Sequence, residues 1–237
     1  MYCSDNQLTS LVLPKGIKMV YYSDNQLTSL DIPDGVEMVY CNSNQLTSLD
    51  ILNSVKEVYC SNNQLTSLIL MAGIEVVYCS NNQLTSLVLP DGVEYVHCNN
   101  NQLVSLIVPE SVKRVECSYN QLTSLILMDG VEHVNCNNNQ LTSLMLMEGV
   151  EHVYCGDNQL TSIPYISTLR TLCCQENNFS GGHYAISETS SRGVYYWTDK
   201  DIIATGCFVG TLEEFYQKGY VKEKKNWVKK FYDLNKK

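Results

Sequence analysis

The sequence predicts a solenoid of short parallel β-strands, nearly helix-free along its repeats, with a small α+β element at its C-terminal end. Three observations predict it. Asparagine recurs every 19 residues, at 6, 25, 44, 63, 82, 101, 120, 139, 158 and 177, marking ten coils. Nine of the 11 cysteines, at 3, 41, 60, 79, 98, 117, 136, 155 and 174, stand in a second column of that period, with Tyr22 filling its single gap. The period stops after Phe179.

Each part of a coil has a physical reason. Residues 93–109, VEYVHCNNNQLVSLIVP, are typical. Val96 and Cys98 alternate with Tyr95 and His97, the period-2 pattern of a strand with one face buried, and neighbouring coils would pair in parallel at about 4.8 Å. Asn101 follows where the strand bends away. Its amide offers donors and acceptor together, so a column of asparagines can satisfy buried peptide groups from coil to coil. Leu103, Leu106 and Val108 close the core. Glycine at 16, 35, 73, 92, 130 and 149 suits the turn that returns the chain. Only about eight residues remain for the far side, too few for a long helix, so turns or short extended pieces are expected there.

The pattern V-x-x-V-x-C-x-x-N-x-L resembles the leucine-rich-repeat consensus, with cysteine in place of the third leucine, over about residues 1 to 179. The near-identical CSNNQLTSL copies are similar to repeats of giant amoebal (mimivirus-type) viruses and of some bacterial proteins. The resemblance implies an α/β-type leucine-rich-repeat solenoid, strand-rich, with parallel β on one face and turns on the other. It also implies protein–protein recognition through the strand (concave) face.

Composition narrows the function. The chain has 237 residues and a formal charge of -9, which argues against nucleic acid as the partner of the whole molecule. No apolar run approaches the roughly 20 residues of a membrane span, and the N-terminus has no signal-peptide pattern, so a cytoplasmic address is expected, a host cytoplasm if the protein is viral. The cysteine column reads as buried reduced thiols rather than disulfides or metal ligands, which also favours a reducing compartment.

Candidate site residues come from the outward positions of the strands. One column carries Tyr2, Tyr21, Tyr40, Tyr59 and Tyr78, changes to His97, Glu116 and Asn135, and returns to Tyr154. An aromatic stripe suits a binding face, and equally suits stacking that shields the sheet. Departures from the repeat gather in coils six to nine, where Tyr95, His97, Arg114, Glu116, Tyr119, His133, Asn135 and His152 are expected to project from the strand face. This mixed patch is the candidate surface for a protein partner. His133 and His152 share a column, but no metal or other cofactor is expected from so loose a set.

The ends differ from the repeats. Met1 falls in mid-strand, so self-association through an uncapped first coil is one expectation. Residues 180–192 read as a linker. Residues 193–237 read as a β-hairpin around Thr198-Asp199-Lys200-Asp201, then a helix capped by Thr211 and a second helix bearing Trp227, Val228 and Phe231. GCFVGTLEEF resembles a β-hairpin-helix module of phage and large-virus proteins, and capping of the last coil is its expected role. Eight lysines in residues 218–237 could meet an anionic surface.

The expected function is therefore a non-enzymatic protein-binding module. A structural, self-assembling viral component is the alternative, together with a substrate-recognition part of a ubiquitin-ligase-like effector. Cys207 and His183 are the only cysteine and histidine after the repeats, and no activating partner for a nucleophile can be named.

Overall fold

The structure is a computed structural model that describes residues 1–179, 184–185, 194–197, 200, 202–205 and 208–217. It divides into two units, Met1–Val131 and Glu132–Lys237. Both are built from the same coil.

In the first unit six front strands lie side by side in parallel: β1 (Met19–Tyr21), β2 (Met38–Tyr40), β4 (Glu57–Tyr59), β6 (Val76–Tyr78), β7 (Tyr95–His97) and β9 (Arg114–Glu116). Each pairs with its neighbour at a 19-residue offset, as in Val77↔Val96 and Val96↔Val115, and Tyr2 adds a bridge to Tyr21. The middle residue of each strand is buried, as is the residue that follows the strand, Tyr22 after β1 and a cysteine after the others, which sets the core against the front sheet. The asparagine column forms the expected ladder. Asn101 accepts from the Leu84 N–H at 3.0 Å and donates to the carbonyls of Cys79, Cys98 and Asn99 at 3.0, 3.2 and 3.3 Å. One side chain thus ties two coils through groups that water cannot reach.

Outside the front sheet, alternating charges at the strand entrances pair along the stack, as in Lys18 with Glu37 at 2.7 Å and Lys113 with Glu94 at 3.1 Å. Such exposed pairs contribute at most about 1 kcal/mol each.

The back carries two-stranded parallel pieces, β3 (Ser48–Asp50) with β5 (Ser67–Ile69) and β8 (Ser105–Val108) with β10 (Ser124–Leu127). Across the second pair the Met128 N–H donates to the Val108 carbonyl at 3.1 Å. One coil earlier the same column holds Pro109, which has no N–H, and among the described residues no backbone bond joins 86–89 to β8. The two coils splay there, leaving a notch of about 330 Å³ lined by Ser86, Leu87, Val88, Leu89, Ser105 and Ile107. A similar opening of about 270 Å³ separates 29–32 from β3. At each of these boundaries a hydroxyl replaces the turn glycine of the following coil and accepts the preceding glycine's N–H: Gly35 to Ser54 at 3.2 Å and Gly92 to Ser111 at 3.0 Å. Gly149 and Thr168 repeat the contact at 3.0 Å in the second unit, so the coils carry a three-coil period of 57 residues within the 19-residue one.

The six turn glycines all have φ between 83° and 108°. At Gly130 an added Cβ would overlap the Glu110 carbonyl, whereas at Gly149 it meets nothing within 4 Å. Gly149→Ala is expected to cost about 1–2 kcal/mol from the left-handed backbone alone, and Gly130→Ala at least about twice that. Urea unfolding of the two variants checks the order, and equal losses would contradict it.

In the second unit β11 (His133–Asn135), β12 (His152–Tyr154) and β13 (Thr171–Cys173) form the front sheet. A four-stranded antiparallel sheet follows, in the order β14 (Tyr184–Ala185), β15 (Val194–Trp197), β16 (Ile202–Thr205) and β17 (Phe208–Thr211), ahead of the helix α1 (Leu212–Gln217). β15 and β16 form an antiparallel hairpin, and the short strand β14 lies within 180–192. Thr211 Oγ1 accepts from the Glu214 N–H at 3.1 Å while Glu214 Oε2 accepts from the Thr211 N–H at 2.8 Å, a reciprocal helix cap. The sheet covers the last coil. The Trp197 Nε1–H donates to the Ile163 carbonyl at 2.8 Å, and the Ile163 N–H donates to the Tyr195 hydroxyl at 3.0 Å. Pro164 follows Ile163, so no further back strand could satisfy these groups. The expected second helix, the lysine-rich end, His183 and Cys207 lie outside the described residues.

Candidate functional site

The outward column of the first unit forms a continuous file of rings. Tyr2, Tyr21, Tyr40, Tyr59, Tyr78 and His97 follow one another with centroid separations of 4.2, 4.6, 4.4, 5.0 and 4.1 Å. The spacing is that of parallel strands, because every ring stands on the same position of successive coils. Stacking hides most ring faces, so what the file presents is its edges and hydroxyls. Those hydroxyls are linked: the Tyr59 hydroxyl donates to Glu57 Oε2 at 2.9 Å, and a hydrogen bond to Tyr2 holds the Tyr21 phenol above its usual range. Burial and the Glu57 carboxylate raise Tyr59 as well. Tyr21 and Tyr59 therefore stay neutral donors and acceptors around neutral pH.

Tyr95 and Arg114 are register partners on β7 and β9, as are His97 and Glu116. Both Tyr95 and Arg114 are exposed. Two sequence expectations change here. Glu116 is buried, at 7% exposure, instead of projecting into solvent. Arg114 Nε and Nη2 both donate to its Oε1, at 3.0 and 2.7 Å, so the side chain two residues away on the same face covers it. Tyr119 lies beyond the strand, in the turn before Asn120. It occupies a column of left-handed residues, φ 52° to 57°, filled elsewhere mostly by Asn and Asp. A bulky tyrosine at φ 54° with 58% exposure is strained without compensating burial. Tyr119→Asn is expected to raise stability by about 1 kcal/mol, read as a higher urea midpoint at unchanged slope. An unchanged or lower midpoint would refute the strain.

In the second unit His133 and His152 are register partners with ring centroids 5.8 Å apart, and His133 lies 5.4 Å from the ring of Tyr154. His152 Nδ1 sits 3.0 Å from Thr171 Oγ1, and its Nε2 is 3.9 Å from Glu151 Oε2. Asn135 is the register partner of Tyr154. The twelve sequence candidates thus fall into two groups, with Tyr40 to Tyr119 in the first unit and His133 to Tyr154 in the second. Glu57, in the column beside the tyrosines, belongs with the first group and was missed; its place at a strand's outward position was the signal. Among the described residues no group of three His, Cys, Asp or Glu side chains could hold a metal ion. The cysteine column is buried from Cys41 onward, and its cysteines are thiols rather than disulfides. Burial pushes Cys41, Cys79 and Cys136 up to about 12 and raises Cys60, Cys98 and Cys155 well above the usual thiol range. Thiols held this far from ionisation are poor nucleophiles and poor metal ligands.

No family model matches the sequence, and no curated protein does. Solved structures do match. YopM from Yersinia enterocolitica WA-314 superposes with a TM-score of 0.61 at 23% identity, over 75% of this chain and 46% of that one. The YopM leucine-rich effector protein of Yersinia pestis gives 0.65 at 24%, over 70% and 51%. The leucine-rich repeat domain of APL1B gives 0.60 at 18%, over 75% and 62%. The chain spans about half the length of the two YopM structures. These likenesses show the fold, a leucine-rich-repeat solenoid with a parallel strand face and almost no helix. No helix among the described residues is long and apolar enough to cross a membrane.

Proposed function

We propose that the protein is a non-enzymatic binding module that recognises a protein partner through its strand face. The observation that carries this reading is the file of rings from Tyr2 to His97: a rigid row of edges and hydroxyls at near-constant spacing, flanked by the exposed Tyr95 and Arg114. Tyrosine supplies large contact area and hydrogen bonding at low entropic cost, and here the stacking has already ordered the side chains. Leucine-rich-repeat domains typically bind proteins, which supports the class of partner without naming one. Buried thiols support a reducing, cytoplasmic setting.

The test compares two baits in a reducing lysate, the native chain and a Tyr40→Ser, Tyr59→Ser, Tyr78→Ser variant whose circular dichroism matches it. A protein held by the native chain should be retained at least about tenfold less by the variant, the loss expected when central aromatic anchors are removed. Equal retention of the same proteins by both baits would remove the stripe from the interface.

A further inference from the structure

We propose that the back of coils four to seven is a self-association surface, on which two copies of this chain meet with an apolar rib of one seated in the notch of the other. The rib consists of Ile69, Val88, Ile107 and Ile126, one per coil, with exposures of 51, 80, 57 and 46%. Val104 and Met128 broaden it. Scattered exposed apolar residues need no explanation, but these stand in one column on consecutive coils, and a contiguous patch of roughly a few hundred Å² marks an interaction surface.

The charge pattern around the rib selects its occupant. Segments 61–71, 80–90, 99–109 and 118–128 contain no Asp, Glu, Lys, Arg or His, in a chain of net charge -9. A basic partner would gain nothing on this face. A second copy carries the same acidic excess, and the charge-free back is where two such molecules approach against least repulsion. The column has a definite end: Asp31 and Asp50 occupy it in coils two and three, so the rib starts at Ile69.

Shape supports the same occupant. The notch beside β8 lies next to Val88 and Ile107, so ridge and hollow are neighbours on one face. That is the arrangement a two-fold contact requires, since the same patch must supply both halves. Both copies also share one coil spacing of about 4.8 Å, which lets antiparallel ribs interdigitate along their length. No backbone hydrogen bond among the described residues joins 86–89 to β8, and Pro109 offers no donor there, so the hollow lies where two coils are left untied.

Sedimentation equilibrium of the native chain under reductant tests this, from about 5 to 500 µM, the range suited to a patch smaller than a standard interface. The weight-average mass is expected to rise from 26.8 kDa toward twice that value. Val88→Lys with Ile107→Lys should hold the monomer mass throughout, with a melting temperature matching the native chain. Ser86→Lys, an exposed position lining the notch, should weaken association on its own. Tyr59→Ala, on the opposite face, should leave association unchanged. The proposal is overturned if the native chain stays monomeric, if the double lysine variant associates as the native chain does, or if Tyr59→Ala abolishes association. Growth past two copies would also overturn it, because it requires a head-to-tail contact. Each of these results leaves the strand-face reading to its own bait experiment.

Discussion

Raising the pH from 7 to 10 under reductant is expected to unfold the protein, before most lysines and any arginines lose their charge. The sign follows from the thiols. Burial raises Cys41, Cys60, Cys79, Cys98, Cys136, Cys155 and Cys174, so the folded chain keeps their protons. The unfolded chain releases them above about pH 8.5. The folded state then binds more protons than the unfolded one, and stability falls as pH rises from that value toward about 12. Cys41, Cys79, Cys136 and Cys174 together cost about 3 kcal/mol at pH 9 and about 8 kcal/mol at pH 10, comparable to a typical folding free energy, and Cys60, Cys98 and Cys155 add to the loss in the same direction. Urea unfolding at pH 7, 8, 9 and 10 measures the loss. A stability constant within about 2 kcal/mol over that range would show that the column ionises in place or is not desolvated. Cys79→Ala should lower the proton release on unfolding by one, which separates the thiols from the tyrosines.

The second large effect is expected at the asparagine ladder. Asn101→Ala orphans the Leu84 N–H and takes one donor from each of the carbonyls of Cys79, Cys98 and Asn99, which keep Asn82, Asn120 and the Asn81 N–H as their other donors. An unsatisfied buried N–H costs about 1–3 kcal/mol and each lost hydrogen bond about 0.5–1.5 kcal/mol, so a total loss of about 3–5 kcal/mol is expected, or a melting temperature lower by roughly 10 °C. Asn101→Asp should fare no better: a carboxylate can accept from Leu84 but has no N–H to give the three carbonyls. Because coils contact only their neighbours, the lesion should also divide the unfolding transition in two. Thermal melts followed by circular dichroism would expose a smaller role for the ladder, as a single transition shifted by less than about 2 °C.

Most of the fold was legible because each coil restates its needs. The asparagine, cysteine and glycine columns could be assigned roles from side-chain chemistry alone, and the hairpin and Thr211 cap followed from short-range signals. The surface was harder. Alternation along β9 put Glu116 outside, and only the position of Arg114 over it makes it buried. Tyr119 follows the strand so closely that it was grouped with it, although the Asn62, Asn81 and Asn100 equivalents already marked a left-handed turn. Val88 and Ile107 sit in a Leu-x-Leu-like run that reads as core, and their exposure depends on where the back segment faces once the coils stack. The tyrosine file was visible as a column, whereas its edge-on presentation needed ring positions.

The alternation of glycine with Ser54, Ser111 and Thr168 bears on how such a chain can change in length. Excising 19 residues in register rejoins like to like in the core, but excising a coil that carries a hydroxyl leaves the preceding glycine N–H without its acceptor, and excising a glycine coil breaks the three-coil order. Excising 57 residues restores every junction. Variants that differ by three coils should therefore keep their stability per coil while changing the length of the strand face.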